Sequence, residues 1–221
     1  CGYGNVAVMD GGLKAWRDAG YEVFGGVNVP SKAFGEVVEH DCDTPRIEAA
    51  DLKQLVDEGK DLVILDSRPM DEFRNMSIPG GIDCPGAELV YRVKDFVPNP
   101  ETLVVVNCAG RTRSIIGAQS LINAGLPNKV IALKNGTMGW HLAGLQVARG
   151  RHETYRGQSQ AALGWAREAA ARVARKAGIR PIPMVELRRI EAEAASTGGS
   201  VYKLGVRHPA DDAQGHLIGF P

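Results

Sequence analysis

One stretch constrains the fold more than any other: Val104, Val105, Val106 and Asn107, then Cys108, Ala109, Gly110, Arg111, Thr112, Arg113 and Ser114, then apolar residues at helical spacing. The valines form a continuous apolar, β-branched run, which reads as a strand buried on both faces. A short loop with one glycine then leads into a helix. Strand, tight loop and helix make half of a βαβ unit, and such units build parallel sheets covered by helices. Ligands of these sheets sit beyond the carboxyl ends of the strands. Cys108 occupies such an end.

The same alternation recurs around it. The pattern predicts strands at 62–66, 103–107 and 129–133, and helices at 49–58, 69–76, 86–93, 113–124 and 136–144. Pro98 and Pro100 mark the turn before the cysteine strand. The expected fold class is α/β, a central parallel sheet flanked by helices.

The loop has chemical meaning. A thiol is nucleophilic as the thiolate, and a helix N-terminus with guanidinium groups nearby favours that form. Backbone N–H groups in a tight loop converge on an anion, and Gly110 permits the dihedrals this needs. Arg111 and Arg113 can each fork two hydrogen bonds onto an oxyanion. Thr112 and Ser114 add hydroxyls, and Ser114 is also placed to cap the helix. Cys108 is thus the candidate nucleophile, attacking a group joined to an anionic leaving group. Ala109, Gly110, Arg111, Thr112, Arg113 and Ser114 are the candidate binding residues.

The loop resembles the active-site loop of the rhodanese superfamily, the thiosulfate and mercaptopyruvate sulfurtransferases. Residues 61–73 resemble that family's first strand, which ends in Asp-x-Arg (here Asp66 and Arg68) before a helix with Glu-Phe. Ile78-Pro79-Gly80-Gly81-Ile82 resembles its His-Ile-Pro-Gly-Ala segment, with Ser77 at the histidine position. Residues 129–133, Asn135-Gly136 and Met138-Gly139-Trp140 resemble its last strand, Gly-Gly turn and tryptophan helix, with Asn135 replacing the first glycine. The motifs occur in order over about 45–150. The resemblance implies sulfur transfer: Cys108 takes sulfane sulfur from thiosulfate or a related donor as a persulfide, then passes it to a thiol or cyanide. It implies Arg68 as a further substrate-binding residue and Asp66 as a supporting one. The arginine-rich loop leans towards an inorganic oxyanion over mercaptopyruvate as donor.

An internal repeat extends the pattern. Residues 2–25 align with 125–150, matching Gly12 with Gly136, Trp16 with Trp140 and Gly20 with Gly144. Residues 64–80 align with 203–219, matching Arg68 with Arg207 and Gly80 with Gly219, although Gly205 stands where Asp66 does. The chain therefore reads as a rhodanese-like module with partial flanking modules. Residues 1–39 are the end of one, 45–150 a complete catalytic one, 152–178 a helical linker and 180–221 the start of another. Residues 40–46 read as a polar linker. The linker helix is expected to start near Glu153, with Ala161, Leu163, Trp165, Ala169, Val173 and Ala177 packing on a module. The incomplete ends suggest contacts between modules or between copies of the chain.

Composition narrows the classes. The 221 residues carry 26 Lys and Arg against 26 Asp and Glu, so no basic field invites nucleic acid or an anionic membrane. No apolar run reaches the length of a membrane span. Cys1, Cys42, Cys84 and Cys108 form no CxxC pair and no metal-ligand spacing, which suits a reducing cytoplasmic setting. Neither metal, nucleotide nor flavin is expected as a cofactor. Two other functions remain open. One is a non-enzymatic sulfur carrier or partner-binding module. The other is a cysteine phosphatase or arsenate reductase, which would need arginine at position 114, where Ser114 stands.

Overall fold

The computed structural model describes residues 4–21, 23, 30–152 and 157–203. Its elements are α1 (Gly12–Asp18), α2 (Pro30–Cys42), β1 (Arg46–Ile47), α3 (Ala49–Asp57), β2 (Leu62–Asp66), α4 (Met70–Asn75), β3 (Ile82–Asp83), a 3-10 turn at Gly86–Glu88, α5 (Leu89–Phe96), β4 (Leu103–Asn107), α6 (Thr112–Asn123), β5 (Val130–Leu133), α7 (Gly136–Leu142), α8 (Gln160–Lys176) and α9 (Met184–Thr197). The chain divides into two compact units, Cys1–Val173 and Ala174–Pro221.

The sheet is parallel throughout, in the order β1-β5-β4-β2-β3. β4 lies at its centre, with Val104, Val105 and Val106 fully buried. Its alternation sorts the core into two layers. Val104 and Val106 join Leu89 and Val93 of α5 and Ile115, Ala118 and Leu121 of α6. Val105 points the other way, to Ala49 and Leu52 of α3, Ile131 and Leu133 of β5 and Trp140 of α7. Each large aliphatic side chain buried this way contributes about 1.5–3 kcal/mol. Gly117 lets α6 approach, since a Cβ there would lie 2.6 Å from Leu89 Cδ1 and 3.1 Å from Val106 Cγ1.

The three expected strands and five expected helices form, within the usual scatter of element ends. The structure adds further elements, among them β1, β3 and α2. β1 and β3 have two residues each, too few to carry a periodic signal. α2 replaces part of the expected linker, because it runs through Cys42. Its Val38 packs on the core, so residues 40–42 are the last turn of a docked helix.

α8 corrects the linker helix. It begins at Gln160, where Ser159 Oγ accepts the Ala162 N–H at 3.1 Å as a cap; Glu153 lies outside the described residues. Its buried row is Ala162, Ala166 and Ala169, flanked by Trp165 on the core. Ala161 and Ala177, expected on that stripe, are exposed. The helix packs through the small side chains of Ala162, Ala166 and Ala169, with Trp165 beside them. In the second unit, α9 ends at Gly198 with φ 72° and is braced by a 2.8 Å ion pair between Lys203 and Glu191. The repeat of 64–80 falls almost wholly on 204–219, outside the described residues.

Candidate active site

Strand direction creates the site. After β2 the chain turns outward to β3, and after β4 it turns the opposite way to β5. Between neighbours whose connections diverge, a crevice opens at the carboxyl ends. Asp66, Ser67 and Arg68 leave one side of it and Asn107 and Cys108 the other, with Asp66 and Asn107 in register. Ser67 closes its floor, donating from both N–H (2.8 Å) and Oγ (2.7 Å) to the Asn107 carbonyl.

Cys108 is 2% exposed. Its thiol points to Ser114 Oγ at 3.6 Å, and that hydroxyl donates to the Arg111 carbonyl at 2.7 Å. Ser114 therefore lies inside α6 and under the thiol, rather than at the helix cap. The cap position belongs to Arg111, whose side chain makes no cap bond. The first intrahelical bond of α6 runs from Ile115 N–H to Arg111 O at 3.2 Å. The amides of Thr112, Arg113 and Ser114 precede that ladder and are the free donors of a helix start. Residues 108–114 thus form one ring of backbone between β4 and α6, with Ser114 Oγ beside the sulfur.

A buried network holds the ring from below. Arg68 forks onto Asp66 at 2.8 and 2.7 Å and also donates to the Met76 carbonyl at 2.6 Å. Asn107 Nδ2 donates to Asp66 and to Thr137 Oγ1, both at 2.9 Å. The Thr137 N–H donates to the Cys108 carbonyl at 2.8 Å, and the Met138 N–H to that of Ala109 at 2.9 Å. Such a network is stable only when its members satisfy each other. Asp66 is the shared acceptor of this network, taking hydrogen bonds from both Arg68 and Asn107. Arg68 departs from the substrate-facing place expected: it is 3% exposed, with its guanidinium turned onto Asp66 and Met76.

The loop arginines are also engaged. Arg113 forks onto Glu72 of α4 at 2.7 and 2.8 Å, across the crevice mouth. This pairing holds the Glu72 carboxyl below its ordinary range and raises Arg113 further, with the nearby Cys108 sulfur adding to the latter. Arg111 meets Glu36 of α2 at 2.8 Å and also Glu39. At the end of β3, Asp83 is 8% exposed, and burial, then the charges of Asp66 and Glu88, push its carboxyl up to about 6.

Sequence reasoning missed Asn107, Thr137, Gly136, Glu72 and the two α2 glutamates. In the sequence Gly136 reads as the second residue of a turn and as a repeat position, not as a support of the cysteine loop. Its φ is 54°, and a Cβ there would lie 2.3 Å from the Cys108 carbonyl oxygen. That approach lets α7 support the ring, and only tertiary packing shows it. Among the described residues no three His, Cys, Asp or Glu side chains gather as a metal site, and no helix is long and apolar enough to cross a membrane.

Comparison with known proteins agrees with this geometry. The rhodanese-like domain family model matches residues 48–143. A candidate sulfur carrier protein of Bacillus subtilis (strain 168), YrkF, is 28% identical over 141 residues, 58% of this chain and 72% of that protein. The crystal structure of thiosulfate sulfurtransferase from Pseudomonas aeruginosa is 50% identical with a TM-score of 0.77, over 99% of this chain. This chain spans only 41% of that enzyme. Residues 48–143, with Cys108 at the centre of their sheet, are a rhodanese-like domain.

Proposed function

We propose that the domain is a sulfurtransferase working through a persulfide on Cys108. The Cys108 thiolate bonds to the outer sulfur of thiosulfate or a related donor, the S–S bond breaks, and its electron pair leaves with sulfite. A thiol or cyanide then takes the outer sulfur and the thiolate returns. Two half-reactions on one nucleophile give ping-pong kinetics. The carrying observation is the thiol just past the end of the central strand, beside Ser114 Oγ, with the amides of Thr112, Arg113 and Ser114 at the start of α6. Preorganised donors of that kind stabilise an anionic sulfur without rearranging. Position 114 speaks against a phosphatase, since Ser114 is fully buried where a phosphate-embracing arginine would be needed.

A sulfur carrier serving a partner protein is the second reading. It is favoured by the likeness to YrkF and by the ion pairs that occupy both loop arginines. In either reading residues 109–114 contact the transferred group, while Asp66 and Arg68 brace the floor. The flanking segments are read as parts of further rhodanese-like modules, supported by the match of nearly the whole chain to part of the larger Pseudomonas enzyme. A soluble, cytoplasmic setting fits a reactive thiol and belongs to the same proposal.

The test is thiocyanate formation from thiosulfate and cyanide, with the parent chain and Cys108→Ser, alongside the mass of Cys108 peptides after thiosulfate alone. Turnover lost in the variant, with one added sulfur on the parent Cys108, supports the enzyme. A stable added sulfur without turnover favours the carrier. No added sulfur from any sulfane donor overturns both.

A further inference from the structure

The loop arginines look like anion ligands in the sequence, yet neither is free in the fold. Arg113 is held by both carboxylate oxygens of Glu72. Arg111 is held by Glu36 and by Glu39, whose side chain is 11% exposed and also binds Arg46. α2 lies outside the residues that match the family model. It is nevertheless fixed against the loop. A Cβ on Gly35 would come within 2.6 Å of Thr112 Cγ2, and Val38 is seated on the core. Two guanidinium charges at the mouth of the ring thus face three carboxylates.

This matters for donor choice. The attraction between a site and an anion scales with the product of their charges, so compensating the arginines weakens a dianion more than a monoanion. A bidentate pair also holds its guanidinium in one orientation, which an incoming oxyanion must share or break. We propose that Glu36, Glu39 and Glu72 are specificity-determining residues. They hold Arg111 and Arg113 as positioned, neutralised groups, and so tilt the loop from doubly charged sulfur donors towards singly charged ones. The kinetic part of this inference rests on the sulfur-transfer reading of Cys108; the binding part does not.

Two donors with the same outer sulfur separate charge from chemistry. Thiosulfate is a dianion and releases sulfite. Benzenethiosulfonate is a monoanion, and the same Cys108 S–S bond forms while the electron pair leaves with benzenesulfinate. The full chain is compared with Glu72→Gln, with Glu36→Gln, which alters an exposed partner, and with Glu36→Gln/Glu39→Gln. Freed arginines are expected to lower the KM for thiosulfate about three- to tenfold, as one released ion-pair contact allows. The KM for benzenethiosulfonate should move less than about twofold, its single charge being less sensitive. Glu72→Asp keeps the charge and should restore the parent ratio of the two KM values.

The binding part needs no turnover. Sulfate is titrated while the amide resonances of Gly110, Arg111, Thr112, Arg113 and Ser114 are followed. Half-saturation should fall by a similar factor in the glutamine variants. Equal changes for both donors, or a loss of kcat and melting temperature with an unchanged KM ratio, would show a merely structural role and overturn the proposal. So would an unchanged sulfate titration. If Cys108 accepts no sulfur from either donor, the sulfur-transfer reading fails by itself, and the sulfate titration alone decides this one.

Discussion

Residues 6–21 and 130–145 make the same local structure in opposite surroundings. Both have two left-handed residues, Gly11 and Gly12 at φ 69° and 55°, Asn135 and Gly136 at 58° and 54°. Both continue into seven-residue helices, α1 and α7. Both close alike: Ala19 and Ala143 donate to Ala15 and Gly139 (3.0 Å each), Gly20 and Gly144 to Arg17 and His141 (2.9 Å each), and Tyr21 and Leu145 to Trp16 and Trp140 (3.2 and 3.3 Å). Beyond that they part. Residues 130–133 form β5 and are all buried, whereas the aligned Val6, Val8 and Met9 are 74%, 93% and 49% exposed and form no strand. Trp140 is 2% exposed and Trp16 42%. Turn and helix are written in local residues. A strand exists only where neighbours accept its hydrogen bonds and cover its faces.

The largest test of that contrast is the tryptophan pair. Trp140→Ala should cost about 3–5 kcal/mol, as for other buried aromatic truncations. Trp16→Ala should stay within about 0.5 kcal/mol, as exposed sites do. Urea denaturation of both variants measures this, and equal losses would break the comparison.

The glycine pair probes the site. Gly12→Ala and Gly136→Ala both carry the left-handed penalty of roughly 1 kcal/mol. A Cβ at Gly12 meets nothing within 4 Å, but one at Gly136 runs into the Cys108 carbonyl. Gly136→Ala should therefore cost a further 1–3 kcal/mol or so, as overpacking does, and slow sulfur loading of Cys108 by at least about tenfold. Loading at the parent rate, followed by mass, would show that α7 does not position the ring.

A third test exchanges a steric solution between the copies. A Cβ on Gly11 would sit 2.8 Å from Ala15 Cβ, and one on Gly139 would sit 2.6 Å from Asn135 Cβ. Each copy thus keeps one glycine of the pair, at opposite ends. Gly139→Ala should destabilise by about 1–2 kcal/mol, and Asn135→Gly in the same chain should recover about half, a coupling that a double-mutant cycle detects. Additive losses would deny the compensation.

The smallest effect comes from a charge that only the closed sheet buries. Asp83 Oδ1 has no hydrogen-bond partner among the described residues, and its carboxyl is pushed up to about 6 from 3.8. A folded value above the unfolded one means that the folded chain holds the proton more tightly. Stability is then greatest below the unfolded value and declines as pH rises towards the folded one. Asp83→Asn should remove that decline, raising stability by about 1 kcal/mol at pH 8 and by almost nothing near pH 4. Thermal melts at the two pH values check the sign.

Legibility in the sequence followed how each feature is encoded. β2, β4 and β5 announced themselves as apolar runs, and α6 by its spacing after Cys108. The position of Cys108 between β4 and α6 was legible because strand, loop and helix are contiguous. β1 and β3 were not, since two residues carry no period and pair only through the sheet. Arg68 read as a pocket residue because its sequence neighbours do not reveal that Asp66 and Met76 receive it. Arg111 and Arg113 read as free anion ligands because Glu36, Glu39 and Glu72 lie roughly 40 to 75 positions away in the chain.

The sequence by itself determined the α/β alternation, the cysteine ring and the turn-helix repeat, all built from residues within one or two turns of each other. Tertiary structure alone decided which copy of the repeat gains a strand, which glycine must stay bare against Cys108, and which arginines are already taken. Those outcomes depend on burial and charge pairing between distant segments, where a few ångströms set the energy and no local pattern records them.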